Sequence, residues 1–479
     1  MGFADYCRQA AASFAALPRT ETLRLVSHHD ADGISAAAIM VSALLRDNRR
    51  YALTIVPQLR RELIEQFAKE QHQVFVFCDL GSGQIEDIRE LLADRQVYIL
   101  DHHELQARPE GIWQVNPHCF GIDGGKEISG AGVAYLFARD LSAQNKDLAV
   151  IAIIGALGDI QEDKGFTGLN KAILADAVAT GTMEVQQGLR FFGAQTRPLH
   201  KLLEYSMDYY IPGVSGNESG AIQFLTELGI DLRKGSGWKK AADLSKDDMK
   251  DLVAGIILRR HGEQHPEDII GPVYILPQQK PGSSTRDARE FATLLNACGR
   301  LGKASLGIGA LLGDKHLTMR ALREVTIYRK KIMEAVRWTE EHVPAIERPG
   351  DANIIIIDGR GVIGHTVIGT VASIISRSGR FSEGTMVLGI ADQEKLLKVS
   401  IRKAPRNSGS RPEEESKHKE ERNLREFLAA VIADLNAKAG EDTQAEVGGH
   451  ANAAGAQVPL ERAELFVECV KERAEAIDR

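Results

Sequence analysis

Between residues 20 and about 125 the chain alternates short apolar runs with helix-patterned segments, and three of its four apolar runs end in an acid or a histidine. The runs lie around 23–27, 51–56, 73–79 and 96–101, separated by helical patterns at 33–46, 59–70 and 83–93. Strands that alternate with helices of this length build βαβ units, so the spacing predicts a mostly parallel sheet. Such sheets gather ligands outside the carboxyl ends of their strands. His28-His29-Asp30-Ala31-Asp32-Gly33 follows the first run, Asp79 ends the third, and Asp101-His102-His103 follows the fourth. A further acid, Asp159, follows the apolar stretch 148–158.

Carboxylates mixed with imidazoles suit Mn²⁺ better than Mg²⁺, which prefers oxygen, or structural Zn²⁺, which prefers a closed cage of thiolates and imidazoles. On an extended segment Asp30 and Asp32 would point the same way, so both carboxylates can face one site. Two ions roughly 3.5–4 Å apart need an acid between them, and water activated there can attack phosphorus in line. Asp79 is the candidate bridge. Asp-x-Asp-Gly alone is explained by a turn and a helix cap. Turns have no reason, however, to place acids or paired histidines after four separate apolar segments. The pattern predicts a metal-dependent phosphoester hydrolase.

These segments resemble, in order, the motifs of the DHH phosphoesterase superfamily: Asp30 and Asp32 the first, Asp79 the second, Asp101-His102-His103 the third, and Asp159 the fourth. The resemblance implies that Asp30, Asp32, Asp79, His102 and Asp159 hold two divalent ions, Mn²⁺ ahead of Mg²⁺. His103 would contact the scissile phosphate, and Asp101 would stand behind the metals and fix the His102 tautomer. The first motif departs from the pattern. Several relatives carry a histidine four residues before the first aspartate, where this chain has Val26; bacterial RecJ-type relatives have an acid two before it, and that place is His28, counted with the ligands.

Towards the C-terminus, Val447-Gly448-Gly449-His450-Ala451-Asn452-Ala453-Ala454-Gly455 resembles the nucleotide-contacting segment of a DHHA1 domain. Glycines let backbone amides approach a phosphate closely. The preceding run 396–403 carries Ser400 and Arg402 on one face of a strand, similar to the family's phosphate clamp. Gly448, Gly449, His450 and Asn452 join them as substrate-binding residues by this resemblance.

The middle of the chain holds 210–219 (YIPGVSGNES), 286–291 (RDAREF) and 294–300 (LLNACGR). These resemble the archaeal RecJ-like nucleases, also called GINS-associated nucleases, so the resemblance spans nearly the whole chain. It implies an α/β protein with a parallel-sheet DHH domain over 1–195, a mainly helical insertion over 196–345, and a smaller α/β DHHA1 domain over 346–479, with a cleft between the lobes. Helices are expected from Ser129 to about 190. The segment 353–403 reads as a strand at 354–358, a helix at 364–376 and a hairpin of 385–391 with 396–403; 404–422 reads as a flexible loop. A helix over 319–337 carries Arg320, Arg323, Arg329, Lys330 and Lys331, a basic face that could line a single-strand channel.

The expected activity is Mn²⁺-dependent exonucleolytic hydrolysis of single-stranded DNA or RNA, in replication or repair, with GINS and the replicative helicase as partners by resemblance. An oligonucleotide or cyclic-dinucleotide phosphodiesterase would share these motifs, although the long insertion exceeds what so small a substrate needs. A replisome scaffold with little activity is the third reading. Composition narrows the setting: no run of about 18 apolar residues exists, no signal-peptide layout opens the chain, and five scattered cysteines lack any Cys-x-x-Cys. A cytoplasmic protein without membrane attachment is expected. The net charge of −7 argues against a broad duplex-binding surface and leaves room for a local basic groove.

Overall fold

In the computed structural model of the chain, the described residues are 2–342, 354–404 and 423–477, apart from 106, 108–109, 207–208, 264, 379–380, 382–383, 441–442, 444 and 451–452. They form two compact units, Met1–Val325 and Thr326–Arg479.

The first unit is built on strands β1 (Thr22–His28), β2 (Arg50–Val56), β3 (Val74–Cys78), β4 (Gln96–Leu100) and β5 (Trp113–Val115), all parallel, in the order β2-β1-β3-β4-β5. The expected strand positions hold to within a residue or two. Helices α1 (Phe3–Ala15), α2 (Ala31–Arg46), α3 (Arg61–Ala68) and α4 (Ile85–Leu91) alternate with them. Period-two geometry divides the strand residues between two cores. Phe75, Phe77, Val97 and Ile99 pack with Ile64 and Phe67 of α3 and Ile85 and Ile88 of α4. Tyr98 turns the other way, onto Phe14 of α1 and Phe137. The order of connection reverses between β1 and β3, and the loops leaving these two strands diverge to open a crevice at their carboxyl ends. His28 and Asp79 arrive there.

Helices α5 (Gly130–Leu141), α6 (Ala149–Gly158) and α7 (Gly168–Ala179) follow, and α5 and α6 pack on α2. Surrounded in this way, α2 is buried from Ala31 to Leu44. The helices stop at Ala179 and not near 190. Glu184–Leu189 is strand β6, and its antiparallel partner, Ile270–Ile275, lies far downstream, so no local pattern announced the pairing. Between them come α8 (Leu199–Glu204), α9 (Glu218–Glu227), the short strands β7 (Arg233–Lys234) and β8 (Gly237–Trp238), and α10 (Lys246–Arg259). Helices α8, α9 and α10 share a core of their own around Phe191, Leu203, Phe224 and Ile256. Ile270–Ile275 is β9; then come α11 (Ala288–Arg300), α12 (Ala304–Leu311) and α13 (Lys315–His342), within which the unit boundary falls.

The second unit contains a five-stranded sheet of β10 (Ile354–Asp358), β11 (Met386–Gln393), β12 (Leu396–Lys403), β13 (Glu446–His450) and β14 (Ala453–Pro459), ordered β10-β11-β12-β14-β13. Only β10 and β11 are parallel; the other pairs are antiparallel. Helix α14 (His365–Ser376) packs on β11 and β12, while α15 (Leu424–Ala439) and α16 (Ala463–Ile477) share a core with the sheet through Leu428, Val431, Phe466 and Val470. Residues 405–422 of the segment read as a loop lie outside the described residues. Among the described residues no helix is long and apolar enough to cross a membrane.

Helix α11, from the middle of the sequence, packs on α2 and α6. The Asn296 carboxamide oxygen accepts from Ala31 N–H at 2.9 Å, and a Cβ placed on Gly299 would lie 1.6 Å from the His29 carbonyl oxygen. That contact leaves no room for a side chain. Gly299→Ala is therefore expected to destabilise the first unit by at least about 1–3 kcal/mol, the usual cost of overpacking, read as a lowered melting temperature. An unchanged melting temperature would show that α11 is not held against the β1–α2 connection.

Candidate metal centre

The first two ligand candidates are held by the start of a helix. Asp30 is the N-cap of α2, its carboxylate accepting from Gly33 N–H at 2.9 Å, and Asp32 lies inside the first turn. The segment is not extended, so strand alternation is not what aims these acids. They also part company: Asp30 groups with His28 and Asp79, and Asp32 with His102 and Asp159. Asp32 is fixed from outside its own helix, by Gly130 N–H at 2.6 Å and Ala131 N–H at 3.1 Å from the start of α5. The helix N-terminus favours the negative charge there.

Asp79 follows β3 with φ of +58°, a left-handed backbone that an aspartate tolerates better than most residues. Its amide donates to the Leu100 carbonyl at 2.8 Å, tying the bend to β4. A Cβ on Gly130 would stand 2.5 Å from Asp79 Oδ1, so only glycine lets α5 come this close. Both Asp79 oxygens and His102 Nε2 are buried, and the groups within reach of the carboxylate are imidazoles, His28 Nδ1 at 3.4 Å and His102 Nε2 at 3.2 Å. A buried carboxylate that leans on imidazoles alone is disfavoured as an anion, and a cation there would satisfy it.

Asp79 lies between two groups of donors. Its Oδ2 is 3.4 Å from His28 Nδ1, which is 3.1 Å from Asp30 Oδ2. Its Oδ1 is 3.2 Å from His102 Nε2, which is 3.4 Å from Asp159 Oδ2 and 3.7 Å from Asp32 Oδ2. Three groups result among the described residues: His28, Asp30 and Asp79; Asp32, His102 and Asp159; and Asp79, His102 and His103, which links the other two. Asp159 does not follow a strand. It is the C-cap of α6, and its place at the site is a product of helix packing.

The His102 tautomer is set differently from the expectation. His102 Nδ1 donates to the Gly124 carbonyl at 2.7 Å, leaving the Nε2 lone pair towards the acids. Asp101 instead engages His103, whose Nδ1 is 2.8 Å from Asp101 Oδ1. It also accepts from Ser82 N–H and from the His102 amide. Three supports escaped the sequence reading. Gly124 lies in a loop with no motif, Gln161 donates to the same Gly124 carbonyl at 2.8 Å, and His29, edge-on to His28, was part of a motif without a role of its own. The small-residue run Ser129-Gly130-Ala131-Gly132 was visible as a helix start, while its hold on Asp32 was not.

The electrostatics follow from this crowding. Burial raises the Asp32 carboxyl well above the usual range, helped by Asp79 and Asp159, and burial raises Asp159 to about 6. Burial opposes a charged His28, yet hydrogen bonds to Asp30 and Asp79 lift it to about 11; His102 is raised in the same way, against its burial, by Asp79. The hydrogen bond to Asp101 raises His103. Burial drops His29 to about 4, reinforced by His28, so this ring stays neutral. Without metal, imidazolium protons occupy the place of cations among the acids.

In the second unit, strand register brings the other candidates together. Ser400 pairs with Gly455, which pairs with Gly448; Arg402 pairs with Ala453, which pairs with His450; Gly449 lies between them opposite Ala454. Ser400 is buried beneath Gly369 of α14, and Arg402 Nε donates to Ser373 Oγ of the same helix at 2.9 Å. Asn452 lies outside the described residues.

The family model for the N-terminal domain of the DHH family matches residues 23–158, and that for the DHH-CID domain matches 191–271. An uncharacterised protein of Methanocaldococcus jannaschii is 32% identical over 375 residues, covering 75% of this chain and 81% of that protein. The chain belongs to the DHH family. Its fold is similar to CDC45 from Entamoeba histolytica (TM-score 0.66, 11% identity, 98% and 99% of the two chains) and to exonuclease RecJ bound to manganese (0.57, 18%, 98% and 94%). RecJ from Thermus thermophilus, in complex with Mn²⁺, matches at a TM-score of 0.57 and 19% identity over 98% of this chain. This chain spans 55% of that longer one.

If these groups hold metal, loading must displace protons. Asp159 and Asp32 have raised pKa values and would have to be ionised to bind; His28 and His102 are raised too and would have to lose protons. All four groups favour metal as pH rises. Apparent affinity for Mn²⁺ is expected to strengthen by about tenfold or more per pH unit between about pH 5.5 and 8, one factor of ten per proton released. Calorimetry in buffers of differing ionisation enthalpy counts those protons, and a pH-independent affinity would contradict the assignment.

Proposed function

We propose that the protein is a Mn²⁺-dependent, single-strand-directed exonuclease. The observation that carries this reading is Asp79, a buried carboxylate met by imidazoles on both oxygens and shared by two of the donor groups. His28, Asp30 and Asp79 would hold one ion; Asp32, Asp79, His102 and Asp159 would hold the other. Such ions, when bound, supply Lewis acidity to a phosphodiester and lower the pKa of water. The chain's own residues orient the reaction. Asp101 takes His103 Nδ1 and favours the imidazolium, which leaves Nε2 to donate to a non-bridging phosphate oxygen. His103 is just over half exposed, as a group that meets substrate must be. Ser400, Arg402, Gly448, Gly449, His450 and Asn452 would hold the nucleic-acid backbone near the end being cut, as the DHHA1 resemblance implies.

The fold likeness to CDC45 favours a second reading, a replisome component with little hydrolysis. The complete donor set weighs towards catalysis. Both roles are compatible if GINS docks away from the site, and association with GINS belongs to this proposal.

Single-stranded DNA and RNA oligonucleotides labelled at either end and incubated with Mn²⁺ or Mg²⁺ should be shortened stepwise from one end. Asp79→Ala should reduce turnover more than about tenfold at saturating Mn²⁺, because a shared ligand is lost. Stepwise shortening that persisted in Asp79→Ala would refute the two-ion assignment. A scaffold would leave both proteins inactive yet bound to GINS in co-purification.

Substitutions in the two units should separate chemistry from binding. His103→Ala is expected to lower turnover on oligonucleotides and on bis(p-nitrophenyl) phosphate alike. His450→Ala should raise KM for oligonucleotides alone. Equal losses on both substrates from His450→Ala would remove it from the binding set.

A further inference from the structure

Beside the metal centre the first unit contains a cavity of about 440 Å³, within the roughly 300–1,000 Å³ of small-molecule sites. Gly158 and Ile160, the neighbours of Asp159 on either side, both line it, as does Asn296, whose carboxamide holds the first residue of α2. The cavity therefore adjoins the ligand segment itself. Ile160 has φ of +58°, a backbone that β-branched residues rarely adopt, and is 86% exposed. That conformation presents an apolar surface next to a metal ligand.

The rest of the lining has the character of a nucleotide site. Phe192 and Tyr205 contribute aromatic faces, and Tyr205 is half exposed. The Arg197 guanidinium lies over both rings, 4.9 Å and 5.3 Å from their centroids. Arg190 and Arg289 line the cavity and both meet the single carboxylate of Glu162, so this part of the wall carries net positive charge. Arg190 Nε is buried with no acceptor of its own. Aromatic rings suit a base of any sequence, and paired guanidiniums suit a phosphate.

We propose that this cavity is a base-binding subsite for the nucleoside monophosphate unit next to the scissile bond. The base lies against Tyr205, Phe192 and the Arg197 guanidinium that covers them, and the phosphate on Arg190 and Arg289. The inference rests on the nuclease reading for its strand substrate and deepens it, because it gives the middle segment a part in recognition. A free mononucleotide offers the same chemistry, and the test separates the two sources.

Calorimetry in Mn²⁺ buffer would compare deoxyadenosine monophosphate with deoxyribose 5-phosphate on the wild-type protein and on Tyr205→Ala. The wild type should bind the nucleotide about tenfold or more tighter, a modest value for one base stacked on an aromatic ring. Tyr205→Ala should bring the two ligands within about twofold and leave the affinity for deoxyribose 5-phosphate unchanged. Absence of discrimination in the wild type, or its survival in Tyr205→Ala, overturns the subsite whatever strands do. Oligonucleotides with one abasic position moved inward from the end form the second arm. A drop of about tenfold in kcat/KM at one position, absent in Tyr205→Ala, places the strand's base in the cavity. A flat profile beside intact nucleotide discrimination overturns the strand assignment in favour of free mononucleotide. Nucleotide discrimination without any strand hydrolysis defeats the nuclease reading and leaves the pocket standing.

Discussion

Five aspartates, at positions 30, 32, 79, 101 and 159, converge where β1, β3 and β4 end, and their mutual repulsion is the constraint that the first unit is built around. Asp79 shows it most sharply, with both oxygens buried and only the imidazoles of His28 and His102 to meet them. An unpaired buried charge costs several kcal/mol, so the surroundings must either supply opposite charge or be held rigid enough to resist. The protein does both. Protons on His28 and His102 offset part of the charge, and backbone amides at the start of α5 take up Asp32. The same crowding that makes the metal-free site uncomfortable makes it a strong cation site.

Rigidity comes from close backbone approach. Gly130 allows α5 to reach Asp79, and Gly299 allows α11 to reach the His29 carbonyl. Neither approach tolerates a methyl group. The consequence is that the middle segment, long in sequence and remote from the ligand motifs, takes part in holding the metal centre through Asn296 and Gly299. Its aromatic and basic residues then line the cavity that adjoins Asp159.

The two histidines of the third motif divide the work through different partners. Gly124 orients His102 so that Nε2 meets the acids, and Asp101 charges His103 at the rim. On the proposed reading, a metal ligand would offer a lone pair and a phosphate contact a proton, and adjacent residues with opposite requirements would need the separate orienting groups seen here.

The parallel sheet and the places of its acids were legible from residue order alone, because strand and helix periods are local and an apolar run closed by Asp or His is readable without context. Residue order also determined that Ser400 and Arg402 share a face, since alternation along β12 is fixed by the backbone. Tertiary structure decided the rest. Asp30 and Asp32 belong to different donor groups because a helix begins between them, and Asp159 enters through the packing of α6. The Gly124 carbonyl, the β6–β9 pairing and the docking of α11 join residues far apart in sequence, and no local period records such contacts.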